Sequence, residues 1–262
     1  MLNKIAVILR GHKRTWEHTK THLLSFFDFY AFTVDYYVIL WDSPSINRES
    51  IVIDFDGKNL KHLIIEPIPQ DRSVYNPWLG PCYLTGKISK FVMAQELAQG
   101  FRYDCVIDTR PDVCFKKILV TDHNLVPFPM SIGSSGVNYE LRSIDDLIFL
   151  TDSISFNFWS TRNRFDFEIF DRFRHKIPYD HHSAAFNYAE LYNHFTYQIP
   201  WFQTILVRPN VYQYLNEGRE IFDAAFIAKD TWGQMTRDEM RLSLEASNIP
   251  LLEYQYQVSG HM

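Results

Sequence analysis

Apolar residues in the first 110 positions come in short unbroken runs separated by stretches of helical spacing. Ile5–Leu9 is an apolar run of strand length, closed by Arg10-Gly11-His12. From Thr15 to Phe29, Trp16, Leu23, Phe26 and Phe27 recur at roughly helical intervals, which predicts a helix. Asp35–Trp41 is a second run rich in β-formers, and it stops at Asp42-Ser43-Pro44. Ile51–Phe55 and Leu63–Glu66 flank Asp56-Gly57-Lys58-Asn59, and read as a hairpin or as two separate strands. Gly80-Pro81 closes a loop ahead of a predicted helix, Leu84–Gln99, which ends at Gly100. Tyr103–Asp108 then reads as a buried strand.

Strands alternating with helices predict an α/β fold with a doubly wound, mostly parallel sheet flanked by helices. Ligands of such sheets sit outside the carboxyl ends of the strands, where the strand order reverses. That directs attention to Arg10-Gly11-His12, Asp42-Ser43 and the segment Asp108–Asp112. The second half is less regular. Asp145–Thr151 and Phe156–Trp159 alternate or run apolar, Phe165–Phe173 and Ser183–Phe195 read as amphipathic helices, and Ile205–Val207 as a late strand before Arg208-Pro209. The last forty residues have no clear period. With no repeat, linker or low-complexity tract, one domain over residues 1–262 is expected. Within it, residues 1–125 are expected to form one half, and residues 126–262 a second half with a helical C-terminal part.

Composition narrows the classes. At 262 residues and 46% hydrophobic content the chain can bury a sizeable core, and domain-scale disorder is excluded. A net charge of −5 argues against a nucleic-acid partner. No run approaches the length that spans a bilayer, so no transmembrane segment is expected. The opening residues read as a strand and not as a signal peptide. Cys82, Cys105 and Cys114 are sparse and odd in number, without metal spacing, which fits a reducing, cytoplasmic setting.

Candidate chemistry concentrates after two strands. Asp108, Arg110 and Asp112 occupy alternate positions, which in extended geometry project to one side next to the stiffening Pro111. Two carboxylates there can hold a divalent cation, Arg110 can clamp a phosphate, or the set can be a structural ion pair. Arg10, His12, Lys13 and Arg14 lie between a first strand and a first helix, where helix N–H groups favour anions, and Gly11 permits close approach. The bland alternative is a solvated basic turn. Lys87 and Lys90 on the next helix are further candidates for phosphate, against a solvated helix face.

Other patterns lead elsewhere. Asp54-Phe55-Asp56-Gly57 matches an Asp-any-Asp pattern but reads more simply as a turn. His18 with His22, His181-His182 and His194 lack a third spaced ligand, so no zinc site is expected. Asp145 and Asp146 precede an apolar run, and Glu190 and His194 are four apart on a predicted helix. Each of these carboxylates is a candidate base, against turn, capping or solvated uses.

On these residues the chain resembles the nucleotide-sugar glycosyltransferases of the GT-A fold. Arg110-Pro111-Asp112 resembles a variant group of bacterial and viral sugar transferases with Arg-any-Asp in place of Asp-any-Asp. Ile8-Leu9-Arg10-Gly11-His12-Lys13-Arg14-Thr15-Trp16 looks like that group's first strand and donor loop. Asp145-Asp146-Leu147-Ile148-Phe149 is similar to its second acidic turn, and Tyr188-Ala189-Glu190-Leu191 to a helix with an acidic residue near the acceptor. The resemblance implies transfer of a sugar from a nucleoside-diphosphate-sugar to a hydroxyl acceptor such as a glycan. It places Arg10, Gly11, His12, Arg14, Asp108 and Arg110 around the donor in a nucleotide-sugar half (1–125), Asp112 on Mn²⁺ or Mg²⁺, and Asp145, Asp146 and Glu190 at the chemistry in an acceptor-side half (126–262). Asp42 and Lys87 join the donor candidates by their strand-end and helix positions. With Arg110 in the place of the first aspartate, either a metal or the guanidinium can carry the positive charge. The rivals are a nucleotidyl or phosphoryl transferase and a non-catalytic glycan- or protein-binding domain.

Overall fold

Side-chain alternation along the first strand serves two cores at once. Ile5, Val7 and Leu9 pack on one face of the sheet, and Ala6 and Ile8 on the other. Such a strand is buried on both sides, which explains its unbroken apolar run. The computed structural model describes residues 4–28, 33–44, 46–69, 79–117, 129–140, 143–161, 181–191, 193–199 and 202–232, with a few positions between 234 and 242.

In chain order the first half runs β1 (Lys4–Gly11), α1 (Trp16–Asp28), β2 (Thr33–Trp41), α2 (Arg48–Asp54), β3 (Asn59–Glu66), α3 (Leu79–Gln99), β4 (Cys105–Thr109) and β5 (Val113–Lys117). Four short strands follow: β6 (Ser131–Ser134), β7 (Val137–Asn138), β8 (Ser143–Ile144) and β9 (Ile148–Thr151). Then come α4 (Ser153–Trp159), α5 (His181–Leu191), β10 (Phe195–Gln198), β11 (Phe202–Leu206), α6 (Val211–Asn216) and α7 (Ile221–Trp232).

Seven strands form one mixed, mostly parallel sheet in the order β10-β6-β9-β4-β1-β2-β3. β1 pairs in parallel with both β2 and β4, β2 with β3, and β10 with β6; β9 is antiparallel to β4 and β6. Leu23, Phe26 and Phe27 of α1, with Ile51 of α2, cover one face. Leu84, Ile88 and Val92 of α3, Phe156 and Trp159 of α4, and Phe186 and Tyr188 of α5 cover the other. The expected α/β class is therefore observed, with helices interleaved on both faces of one main body. A separate antiparallel ribbon, β5 with β11, packs on α7 through Cys114, Ile205, Ala224, Ala225 and Ala228. Among the described residues no helix is long and apolar enough to cross a membrane.

Several local readings change. Ile51–Phe55 is not a strand, because it belongs to α2 and its end. Asn47 caps that helix, its side-chain oxygen accepting from the backbone N–H of Glu49 (2.8 Å) and Ser50 (3.2 Å). α2 is the crossover that two parallel neighbours require, so Asp56-Gly57 joins a helix to β3 and makes no hairpin. Gly80-Pro81 lies inside the first turn of α3 and not in a loop; proline is tolerated there because its missing N–H has no intrahelical partner to lose. Phe156–Trp159 is helical, in α4, capped by Asp152 accepting from Ser155 N–H at 2.8 Å. The helix read over Ser183–Phe195 spans His181–Leu191, and Phe195 opens an edge strand. The helix read over Phe165–Phe173 lies outside the described residues.

Candidate functional site

From β1 the chain winds through β2 and β3 to one side and then returns to β4 on the other. The strand order therefore reverses between β1 and β4, and their carboxyl ends carry Arg10-Gly11 and Asp108-Thr109. This is where an open α/β sheet offers a crevice.

Arg10 and Asp108 meet beneath it. Arg10 Nε donates to Asp108 Oδ1 at 2.7 Å, and both residues are only 1% exposed. The other carboxylate oxygen of Asp108 accepts from Thr85 Oγ1 at 2.9 Å, and Arg10 Nη2 reaches the carbonyl oxygen of Asp146 at 3.4 Å. The pair forms a buried floor at the strand ends, closed to solvent in this arrangement. The expected convergence of Asp108 with Asp112 around Arg110 also changes. The chain turns at Pro111-Asp112, and Asp108 remains in the strand, committed to Arg10.

A second, more accessible layer lies above. Arg110 grips Asp112 with a two-pronged contact, Nε to Oδ1 and Nη2 to Oδ2, both at 2.9 Å. Its Nη1 donates to Asp146 Oδ2 at 3.3 Å. Arg14 Nη1 adds a bond to Asp112 Oδ2 at 3.1 Å. Gly11 (φ +122°) and Arg14 (φ +34°) bend the β1–α1 loop that brings Arg14 here. A non-glycine residue in the left-handed region costs energy, and such residues persist where the surroundings enforce them. The turn itself is pinned from two sides. Thr19 Oγ1 of α1 donates to the Pro111 carbonyl oxygen at 2.5 Å, and Val207 N–H after β11 donates to the Asp112 carbonyl oxygen at 2.8 Å.

The charges of this layer hold one another ionised. Burial alone would raise the Asp112 carboxyl, but the guanidinia of Arg110, Arg14 and Arg208 outweigh it and bring the group down to about 2. Burial opposes the charge of Arg110, yet Asp112, Asp146 and Asp145 raise its pKa further. His12 is driven well below its ordinary value by burial first and by Arg14 next, so its imidazole is neutral at pH 7.

Asp145 and Asp146 form the turn between β8 and β9. Asp145 Oδ2 accepts from Ser135 Oγ at 3.2 Å and Oδ1 from Leu147 N–H at 3.3 Å, while Asp146 faces Arg110. Glu190 is exposed near the end of α5. Because α5 ends at Leu191, Glu190 and the buried His194 are not one helical turn apart on a shared face, as their spacing had predicted. Lys87 is elsewhere, at the ends of β2 and β3: its Nζ pairs with Glu66 at 2.5 Å, and Glu66 also accepts from Tyr83 OH at 2.9 Å. Asp42 is exposed beside them, its N–H donating to the Glu66 carbonyl oxygen at 2.7 Å. Asp54, the acidic decoy, accepts from Trp16 Nε1 (2.8 Å) and Lys20 Nζ (2.6 Å), which is structural use.

Arg208 was not among the residues the sequence singled out for chemistry. The signal was present, because Arg208-Pro209 follows β11 as Arg110-Pro111 follows β4. The antiparallel pairing of β11 with β5 is what brings it to Asp112.

The Mn²⁺ or Mg²⁺ expected on Asp112 is a hard cation. Such ions take several oxygen ligands. Here both oxygens of Asp112 already accept guanidinium N–H groups, and no group of three or more His, Cys, Asp or Glu suited to a metal occurs among the described residues. The residues as arranged do not fit a divalent cation. No protein-family model matches the chain, and no curated protein matches it either.

Proposed function

We propose that this protein is a glycosyltransferase that moves a sugar from a nucleoside-diphosphate-sugar to a hydroxyl acceptor. The observation that carries the reading is the layer of Arg110 and Arg14 around Asp112, opposite Asp146, at the reversal of strand order. A departing nucleoside diphosphate gains negative charge as the bond to the sugar breaks. Guanidinia already fixed in place stabilise that charge without reorganising at the moment of reaction. The Asp145-Asp146 turn supplies carboxylates beside them, and Asp145 is oriented by Ser135 and the Leu147 N–H. A carboxylate so placed takes the proton of an acceptor hydroxyl or stabilises a cationic sugar. Glu190 is the third candidate for that role.

The test has two stages. A thermal-shift panel of UDP-, GDP-, CMP- and dTDP-sugars identifies the donor, since a ligand at 100 times its Kd stabilises by about 2.7 kcal/mol. Turnover is then followed as release of free nucleotide from that donor. Asp145→Asn, Asp146→Asn and Glu190→Gln are compared, and at least one lowers turnover by roughly 10²–10⁴ with donor affinity nearly unchanged. Wild-type turnover in all three variants removes these carboxylates from the chemistry. A donor that binds but is never cleaved, with any hydroxyl acceptor, points to a binding module.

A further inference from the structure

We propose that Arg110 and Arg14 take the place of a divalent cation at this site, so that a nucleoside diphosphate binds without metal. In this assignment Asp112 is a positioning residue for the two guanidinia and not a metal ligand. The inference rests on the glycosyl-transfer reading of the same residues and sharpens it.

Three features carry it. First, both oxygens of Asp112 already accept from guanidinia: three N–H donors from two arginines occupy most of its carboxylate. A metal would have to compete with the guanidinia for this carboxylate and sit beside them against like charge. Second, Arg110 is braced and not consumed. Asp112 holds one edge of its guanidinium and Asp146 meets Nη1. Both terminal nitrogens carry a second N–H that these bonds do not use, and the planar fork suits phosphate oxygens. Third, access differs sharply between the layers. The side chains of Arg110 and Arg14 are 16% and 13% exposed, whereas Arg10 beneath them is 1% exposed. A ligand entering the crevice meets the outer pair. Arg208, next to the Val207 N–H that donates to the Asp112 carbonyl oxygen, adds a third positive charge acting on Asp112.

A diphosphate is the ligand class this wall fits, because adjacent phosphates each offer oxygens to separate guanidinia. Two arginines anchored on a shared carboxylate stand at fixed spacing before the ligand arrives, which limits the ordering cost of binding. A bare carboxylate pair with a mobile metal has no such preset frame.

The experiment is calorimetric titration of the full chain with UDP, GDP, CDP and dTDP, first in EDTA and then in excess Mn²⁺. One of these nucleotides is expected to bind in EDTA with the affinity it shows in Mn²⁺. Arg110→Ala weakens that binding roughly 10- to 100-fold, the range of a lost charge-assisted contact. Arg110→Lys restores only part, because it keeps the charge and loses the fork. Asp112→Asn weakens binding equally in EDTA and in Mn²⁺, and Asp112→Glu recovers some of it. Thermal melts confirm that each variant is folded, and Arg14→Ala, in the loop, provides the same test should Arg110→Ala fail to fold. Binding that appears only with Mn²⁺ overturns the inference and leaves glycosyl transfer standing. Absence of binding to all four nucleotides in both conditions overturns the inference and the functional reading together.

Discussion

Two buried aspartates at opposite ends of the sheet, one in β2 and one in the turn after β4, are satisfied in different ways. Asp35, near the start of β2, is fully buried. It accepts from Tyr103 OH at 2.6 Å and from the Asn59 side-chain amide, with Lys4 and Lys61 standing off at 3.8 Å. Tyr103 OH in turn meets Tyr37 OH at 2.8 Å; burial first, with the charges of Asp35 and Glu96, pushes the Tyr37 hydroxyl up to about 12 against the opposing effect of that hydrogen bond. Close by, Glu96 gathers the Tyr103 N–H, Ser153 Oγ and Arg102. At this end the nearest donors are mostly neutral, and they tie the amino-terminal ends of β2 and β3 to the segment entering β4. The carboxylate of Asp112, at the carboxyl end, accepts instead from the guanidinia of Arg110 and Arg14, which come from separate segments of chain.

The contrast separates a structural polar network from a candidate ligand site. Neutral donors around a carboxylate satisfy it at low electrostatic cost and leave nothing to offer a ligand. Several guanidinia gathered in a partly buried crevice provide charge and directed N–H groups toward an anion, and perturbed ionisation in a cleft is a recurring mark of function. The floor pair Arg10–Asp108 belongs with the structural network, although it lies at the functional end.

That last assignment is the easiest to break. Arg10→Ala leaves Asp108 charged and enclosed, and is expected to cost about 3–5 kcal/mol in unfolding free energy, read by urea titration. Replacing Asp108 in the same chain should recover part of the loss, because no orphaned charge remains. A loss below 1 kcal/mol would move Arg10 from the floor to the ligand-facing layer.

Acid titration gives a smaller effect at the outer layer. The Asp112 carboxyl lies near 2 when folded, against an ordinary 3.8. Its folded value is depressed, so its contribution is complete above the ordinary value and is lost as pH falls through the window between them. Linkage makes this about 2 kcal/mol. Unfolding measured from pH 5 downward should fall less steeply in Asp112→Asn than in the native chain. Identical slopes would mean that the arginines do not hold Asp112 ionised.

The smallest expected effect lies at the amino-terminal end. Tyr103→Phe removes the hydroxyl bridging Asp35 and Tyr37, and should lower stability by about 1–3 kcal/mol, toward the low end because Asn59 still reaches Asp35. Nucleotide affinity should be unchanged in this variant. A weakened nucleotide Kd would couple the two ends of the sheet and dissolve the distinction between them.

Much of the fold was legible from short-range pattern. β1, β2 and β4 are apolar runs, α1 has helical spacing, and α3 ends at Gly100, a position whose φ of +66° suits glycine. The misreadings also have physical causes. Ile51–Phe55 has an apolar pattern that suits either a short strand or a short helix; only the Asn47 cap and the parallel pairing of β2 with β3 decide for helix. In the candidate site, Arg110 and Asp112 could be paired by eye because they are two positions apart.

The periodicity of apolar residues determined which segments become strands and helices, because that choice depends on neighbours one turn or one pleat away. Tertiary structure decided which carboxylate meets which guanidinium. Arg14 reaches Asp112 across 98 positions and Arg110 reaches Asp146 across 36. Asp108 pairs with Arg10 and not Arg110, because adjacent strands β1 and β4 bring those two side chains together below the turn at Pro111. Coulomb and hydrogen-bond energies depend on separation in space, and strand order, which local pattern does not contain, sets that separation.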